Sequence, residues 1–183
     1  MAYVSRAGEK LNYALKTFGL DPAGMTCADF GSSTGGFIDC LLQGKAAQVY
    51  AVDTGYGALD WRLRNDARVM VMERKNAMHV SLPKKVDLIT IDVGWTKLSK
   101  IISNALENLK SSGQIIALLK THYEANPKML RGGKLLEKFI PGVIENTKHE
   151  LIRLGAVVVN IAESPLLGSK AGNREYLLLI KSK

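Results

Sequence analysis

Cysteine and histidine are scarce in this sequence, which argues against a disulfide framework and against a metal site. The only two cysteines, Cys27 and Cys40, fall in apolar segments and form no CxxC pair. Two buried, reduced thiols in a cytoplasmic protein are the simplest interpretation. The three histidines, at positions 79, 122 and 149, share no metal-ligand spacing. We therefore expect a cytoplasmic protein without a metal site.

Long apolar runs are absent as well. No stretch approaches the roughly 20 apolar residues that a membrane helix needs. The N-terminus carries Arg6, Glu9 and Lys10 where a secretory signal would have its apolar core. The sequence thus predicts neither a membrane span nor a signal peptide. With 183 residues, 46% of them hydrophobic, we expect a single domain over residues 1–183 with a full core.

Acidic residues are outnumbered by basic ones. Lysine and arginine total 25 against 17 aspartates and glutamates, which gives a formal net charge of +8. Such a surface attracts polyanions, nucleic acid first and anionic membranes second. No aromatic RNP run or GXXG clamp accompanies the charge. The stretch 127–134 contains two glycines and three of the cations, and it predicts either a mobile loop that meets RNA phosphates or a merely solvated one.

Apolar strands alternate with amphipathic helices along the chain. The pattern predicts an N-terminal helix over about residues 5–19, with Ser5 as its cap. Apolar residues at helical spacing run from 98 to 109, and a later helix has Pro141 in its first turn and ends at Gly155. Seven apolar runs are predicted strands, at residues 26–30, 49–53, 69–72, 86–92, 115–119, 157–159 and 176–180.

The composition of these strands indicates the fold class. Strands that are apolar almost throughout, separated by helices, are typical of an α/β fold in which helices cover both faces of a mostly parallel sheet. No long helix separates the last two strands. We therefore expect them to form a hairpin that contributes one antiparallel strand.

A glycine-rich turn follows the first strand and opens a helix, over residues 29–37. Asp53 ends the second strand, 22 residues after Gly31, at a spacing where an acid can accept hydrogen bonds from both ribose hydroxyls of a nucleoside cofactor. The turn is neither a GxGxxG nor a P-loop. Two acids beside a glycine turn suit a nucleoside with a cationic tail, such as S-adenosylmethionine, and an ordinary strand–helix turn is the alternative.

Four charged residues stand out by their positions. Asp92 and Lys120 each end an apolar run, and a charge that closes a buried strand lies at the rim of the sheet, where open α/β folds bind ligands. Lys10 and Glu175 lie near the two ends of the chain. Taken singly, each could be a solvated strand end or a member of an ordinary ion pair. As a set of alternating sign, they predict one polar cluster.

Several stretches together carry a family resemblance. The chain resembles the TlyA (hemolysin A) branch of the FtsJ-like ribosomal RNA methyltransferases in the order and spacing of its motifs. The matching stretches are residues 3–11, 29–40, 49–57, 73–77, 91–93, 164–168 and 172–177.

The resemblance implies a Rossmann-like S-adenosylmethionine-dependent methyltransferase fold with a seven-stranded sheet. It implies S-adenosylmethionine as the donor, ribose 2′-O-methylation as the reaction, and ribosomal RNA or a ribosomal subunit as the partner. A Lys-Asp-Lys-Glu tetrad would map onto Lys10, Asp92, Lys120 and Glu175. Cofactor contacts would map onto Gly31, Ser33, Gly35, Phe37, Asp53, Asn76 and Asp92.

The sequence also departs from the family pattern. Family members usually begin with an S4-type RNA-binding domain, and this chain begins where that domain would end, so we expect weak RNA binding by the chain alone. Thr121 stands where a proline usually follows the second lysine, and Gly94 and Trp95 replace a usual Ser-Phe pair. These three residues would touch the floor of the site.

Lys120 is the candidate base, because a ribose hydroxyl must lose its proton as it attacks a methyl group. A lysine that only positions the hydroxyl is the alternative. Three other functions are weighed against this one: a non-catalytic RNA-binding or ribosome-assembly factor, a membrane-active hemolysin, and a nicotinamide dehydrogenase, which the glycine turn disfavours. Nothing in the sequence indicates an oligomeric state.

Overall fold

A seven-stranded sheet forms the centre of the structure, a computed structural model that describes residues 2–169 and 171–183. The strands of the chain are β1 Thr26–Phe30, β2 Gln48–Asp53, β3 Val69–Glu73, β4 Val86–Ile91, β5 Leu109–Lys120, β6 Leu130–Arg131, β7 Lys134–Leu135, β8 Ala156–Glu163 and β9 Glu175–Ser182. The α-helices are α1 Ala7–Phe18, α2 Gly36–Gln43, α3 Trp61–Arg64, α4 Ile102–Asn108, α5 Thr121–Glu124 and α6 Ile140–Arg153.

The order of the strands in the sheet is β3-β2-β1-β4-β5-β9-β8. The pairs from β3 to β5 are parallel, and β9 runs antiparallel to both of its neighbours, β5 and β8. The predicted Rossmann-like methyltransferase fold with one antiparallel strand is therefore confirmed. The chain moves outward from β1 to β3 and then crosses back to β4, and the junction of β1 and β4 is where such sheets open a ligand crevice.

Both faces of the sheet are buried, as the nearly continuous apolar strands predict. In β5, Ile115, Ala117 and Leu119 pack with α4 and α6 on one face. Ile116 and Leu118 point the other way and pack with α1, α2 and α3. Because successive side chains of a strand alternate between faces, one strand contributes to two cores.

Two predicted boundaries are wrong. The stripe from 98 to 109 is not one helix: a 3₁₀-helix, Leu98–Lys100, precedes α4, and β5 begins at Leu109 rather than at Ile115. Leu109 pairs with Val86 of β4, and the register shifts between Val86 and Leu88. Leu109 is buried, and an apolar residue at this position is equally compatible with the core-facing side of a helix and with a buried strand.

The ends of two helices test the predicted caps. Ser5 does not cap α1: the N-cap residue is Arg6, without a side-chain hydrogen bond, and the backbone carbonyl of Ser5 accepts from Gly8 N at 3.1 Å. Pro141 lies in the first turn of α6, as predicted. With 14 residues, α6 is the longest helix in the described residues, and none of those helices is long and apolar enough to cross a membrane.

The stretch 127–134 contains a short hairpin. A 3₁₀-helix, Pro127–Met129, leads into β6, and β6 pairs antiparallel with β7. Gly132 and Gly133 form the turn with φ of +57° and +78°. A two-residue type I′ turn requires positive φ at both central positions, which glycine adopts without strain. The glycines thus allow a tight turn.

Asn108 holds the segment before β4 against the end of α4. Its side-chain Oδ1 accepts from Leu82 N at 2.8 Å, and its Nδ2 donates to the carbonyls of Val80 and Asn104 at 3.0 and 2.8 Å. Val80 O also accepts from the Asn104 side chain. Val80 O therefore keeps a second donor if the Asn108 side chain is removed, whereas the buried N–H of Leu82 loses its acceptor.

We expect Asn108→Ala to lower the free energy of unfolding by about 1–3 kcal/mol, because a buried N–H is left without its partner. Urea denaturation measures the change. Glu107→Ala, an exposed change on the same helix, is the control and should stay within about 0.5 kcal/mol of the wild type. Equal losses in the two variants would contradict the assignment.

Candidate functional site

A cleft of about 750 Å³ opens at the carboxyl ends of the parallel strands. Residues at or next to the ends of β1, β2, β4 and β5 line it, as the strand-end positions of Asp53, Asp92 and Lys120 predict. It brings together every predicted site residue except Gly35, namely Lys10, Gly31, Ser33, Phe37, Asp53, Asn76, Asp92, Lys120 and Glu175.

The two predicted glycines have different surroundings. A Cβ on Gly31, whose φ is +89°, would lie 2.5 Å from the backbone oxygen of Asp92. Glycine there lets the ends of β1 and β4 approach each other beside the cleft. A Cβ on Gly35 would lie 2.3 Å from Leu63 Cδ1, so this glycine makes room for packing against α3.

Asp53 fixes the glycine turn from the end of β2. Its Oδ2 accepts from Ser33 N at 2.8 Å and its Oδ1 from Gly55 N at 2.7 Å. Each carboxylate oxygen keeps a lone pair for a further donor. An oriented carboxylate with two free acceptor sites fits the paired hydroxyls of a ribose. Asn76, which also lines the cleft, uses its Oδ1 to accept from Met78 N at 2.9 Å.

The four predicted tetrad charges form two ion pairs. Lys10 Nζ, from α1, donates to Glu175 Oε2 at 2.5 Å, and both side chains are almost fully buried. Lys120 Nζ lies 2.5 Å from Asp92 Oδ1. In the antiparallel pairing of β5 with β9, Lys120 stands directly opposite Glu175, so the two pairs are neighbours.

The two ion pairs differ in accessibility. The side chains of Lys120 and Asp92 are 17% and 20% exposed, against 6% and 4% for Lys10 and Glu175. Asp92 Oδ1 is buried and receives no directed hydrogen bond, so its contact with Lys120 is close but poorly aligned. Lys120 therefore presents its ammonium to the cleft, whereas Lys10 is enclosed with Glu175. Burying the Lys10–Glu175 pair costs desolvation free energy. Its presence is therefore weak evidence that the pair serves stability alone.

Asp29 is a buried acid at the floor of the cleft. Its Oδ1 accepts from Thr90 Oγ1 at 2.7 Å. Burial raises the pKa of Asp29 to about 7, and the nearby charges of Asp92 and Asp53 act in the same direction. The sequence marks this residue only as part of the glycine turn.

Thr121, the departure from proline, has a defined contact. It is fully buried, and its Oγ1 donates to the backbone oxygen of Arg174 at 3.1 Å. A proline at this position would lack the donor. The residue therefore ties the end of β5 to the segment that carries Glu175.

The other departure, Trp95, lines the cleft with an exposed ring and a positive φ of +63°. The ring lies 5.5 Å from that of Tyr123, which is 4.0 Å from His122. Burial lowers the pKa of His122, so this ring adds no positive charge beside Lys120 near neutral pH. Non-glycine residues with positive φ are strained and cluster at functional sites, and Ser33 is a second one in this cleft.

Cleft residues that the sequence did not single out include Lys75, Met78 and Ser169. Lys75 and Met78 flank the predicted Asn76, and Ser169 follows the motif at 164–168. A search of the neighbours of each motif residue would have found them, whereas their residue types alone carry no signal.

The sequence and the fold of this chain both match those of known proteins. The sequence pattern of the FtsJ-like methyltransferase family matches residues 3–182. The chain belongs to that family. Its membership makes the protein a methyltransferase.

Individual relatives of this FtsJ-like chain are similar over nearly its whole length. It is 37% identical to hemolysin A of Brachyspira hyodysenteriae, with 96% of the chain and 75% of the relative covered. It is 35% identical to the 16S/23S rRNA (cytidine-2'-O)-methyltransferase TlyA of Mycobacterium tuberculosis, with 100% and 69% covered. A solved structure from Streptococcus thermophilus that carries the name hemolysin has a TM-score of 0.96 at 35% identity, covering 100% of the chain and 68% of its own.

The raised pKa of Asp29 predicts a pH dependence of stability. Between about pH 4 and 7 the folded carboxyl holds a proton that the unfolded chain has lost, so stability falls as pH rises through this window, by at most about 1.4 kcal/mol per pH unit. Asp29→Asn should remove this contribution, so its stability relative to the wild type should rise from pH 4 to pH 7. Urea denaturation at pH 5 and pH 8 measures this.

The exposed Asp21→Asn is the control and should follow the wild-type pH dependence. If Asp29→Asn follows it too, Asp29 is ionised throughout this range in the folded protein.

Proposed function

We propose that this FtsJ-like protein transfers a methyl group from S-adenosylmethionine to a ribose 2′-hydroxyl of ribosomal RNA. The observation that carries the proposal is the meeting of two lysine–carboxylate pairs, Lys120 with Asp92 and Lys10 with Glu175, beside the glycine turn held by Asp53. The name of the Mycobacterium tuberculosis relative supports the same reaction and substrate.

The cofactor end of the cleft suits a nucleoside. Asp53 would accept hydrogen bonds from the ribose hydroxyls, and Asn76 would meet the base. Gly31, without a side chain, lets the ends of β1 and β4 approach each other beside this end of the cleft. Asp92 lines the same cleft, and its negative charge suits the cationic tail of such a ligand. When bound, S-adenosylmethionine supplies a methyl group carried on a positively charged sulfur.

The acceptor end of the cleft suits a hydroxyl that must lose a proton. The Lys120 side chain is more exposed than that of Lys10, so Lys120 Nζ would contact the ribose oxygen. In its neutral form it accepts the hydroxyl proton as the oxygen attacks. Asp92 orients the amine, and the Lys10–Glu175 pair holds the neighbouring strand in place. In-line alignment of the reacting atoms would add to the acceleration.

The first prediction of this proposal concerns cofactor affinity. Asp53→Ala should weaken binding of S-adenosylhomocysteine by about 1.5–3 kcal/mol, because hydrogen bonds to a charged group are lost. Isothermal titration calorimetry measures the affinity. Asp21→Ala removes an exposed carboxylate before β1 and should leave it unchanged. Unchanged affinity in Asp53→Ala would remove this residue from the site.

The second prediction concerns chemistry at Lys120. Lys120→Ala should lower the rate of methyl transfer by about 10² to 10⁴ or more while the affinity for S-adenosylhomocysteine stays within a few-fold of wild type. Lys120→Arg should fail as well, since a guanidinium stays protonated. The assay is transfer of labelled methyl to ribosomal RNA and ribosomal subunits, with the modified position identified by nucleoside analysis.

The chain offers a matched control for Lys120 in the same two strands. Lys110, near the other end of β5, pairs with Asp87 of β4 at 2.8 Å. Lys110→Ala also breaks a lysine–aspartate pair, but far from the cleft, and should keep wild-type activity. Near-normal activity of Lys120→Arg would leave Lys120 with only a positioning role. Full activity of Lys120→Ala would end the tetrad hypothesis.

A further inference from the structure

Asn173 joins the basic hairpin, residues 128–135, to the strand that carries Glu175. Its side chain is buried, with Oδ1 accepting from Leu135 N at 2.8 Å and Nδ2 donating to Gly133 O at 3.0 Å. One amide thus satisfies both a donor and an acceptor of the hairpin. Glu175 follows only two residues later.

The other side of this linking segment, residues 173–175, is tied to the catalytic pairs. Thr121, next to Lys120, donates to Arg174 O at 3.1 Å. Glu175 binds Lys10 and stands opposite Lys120 in the sheet. Three consecutive residues therefore connect the hairpin, the end of β5 and α1. A displacement of the hairpin would have to be taken up by the segment that places Glu175.

The hairpin presents three cations to solvent. Lys128, Arg131 and Lys134 are exposed, and within residues 2–169 and 171–183 none of the three forms an ion pair. Arg174, close by, is instead engaged by Glu137 and Glu163. Exposed cations that are not engaged by carboxylates suit the phosphates of a nucleic acid backbone.

The base of the hairpin is fixed rather than free. Leu135 is buried and packs in a small cluster with Ile140 and Val143 of α6. The type I′ turn at Gly132 and Gly133 sets the direction of the two strands. The hairpin thus offers its cations from a defined place, which Asn173 ties to the strand that carries Glu175.

We propose that the basic hairpin docks the phosphate backbone of the RNA next to the target nucleotide, and that Asn173 is a positioning residue that sets the docked strand relative to Lys120 and Glu175. The inference rests on the proposed function and extends it. Phosphate contacts fix register on a nucleic acid without reading its sequence. A misplacement of about 1 Å in such a device can cost about a hundredfold in rate.

The test is a double-mutant cycle measured on ribosomal RNA and ribosomal subunits. The charge variant Arg131→Glu with Lys134→Glu should weaken RNA affinity. It should also lower the slope of log affinity against log salt by about one for each lost phosphate contact. Lys84→Glu with Lys85→Glu, two exposed cations just before β4 and away from the cleft, is the matched control and should change the slope less.

Asn173→Ala should lower kcat at least tenfold while S-adenosylhomocysteine affinity stays within twofold. The charge variant should lower kcat/KM by a smaller factor in the Asn173→Ala background than in the wild type. The reason is that the hairpin of Asn173→Ala no longer guides the RNA strand to Lys120. Additive costs, or a lower thermal midpoint with unchanged kcat, would overturn the inference.

Thr121→Val removes the second tie of the linking segment with little change in shape. It should also lower kcat without affecting S-adenosylhomocysteine affinity, which keeps the inference testable if Asn173→Ala does not fold. Wild-type kcat in Thr121→Val would count against it. Absence of methyl transfer by the wild-type protein would instead overturn the proposed function, so the two failures are distinguishable.

Discussion

The ion pair between Lys10 and Glu175 is the interaction on which the site depends. It joins the first helix to the antiparallel strand of the sheet, across 165 positions of sequence. Two lysines in one cleft would repel each other, and each is instead placed against its own carboxylate. Because the Lys10 pair is buried, it can satisfy its charges only if α1, β5 and β9 are all in their final positions.

The sequence predicts the sheet well because buried parallel strands must be apolar on both faces. It predicts most of the cleft because the charges that end those strands, Asp53, Asp92 and Lys120, lie at one edge. Gly35 is the instructive exception. It does not line the cleft, and its φ of +96° and the nearness of Leu63 in α3 are two further reasons for a glycine there.

Other features could not be predicted from the sequence because they depend on contacts between residues that are far apart along the chain. The start of β5 at Leu109 is set by pairing with β4, and local spacing fits a helix just as well. The hairpin at 130–135 is held by Asn173, almost 40 residues later. The contact of Thr121 with Arg174 likewise spans 53 positions. The sequence alone therefore does not show which contact the threonine makes in place of the usual proline.

The placement of β9 between β5 and β8 has a consequence for the order of folding. β8 is made first, but its place in the sheet exists only after β9 has paired with β5. Until then the edge of β5 presents unpaired backbone groups that invite association with other chains. Long-range pairing of this kind is slow, so a nascent chain would pass through a vulnerable interval. Lys10 lacks its carboxylate partner until Glu175 is in place, so the site can be assembled only at the final closure of the sheet.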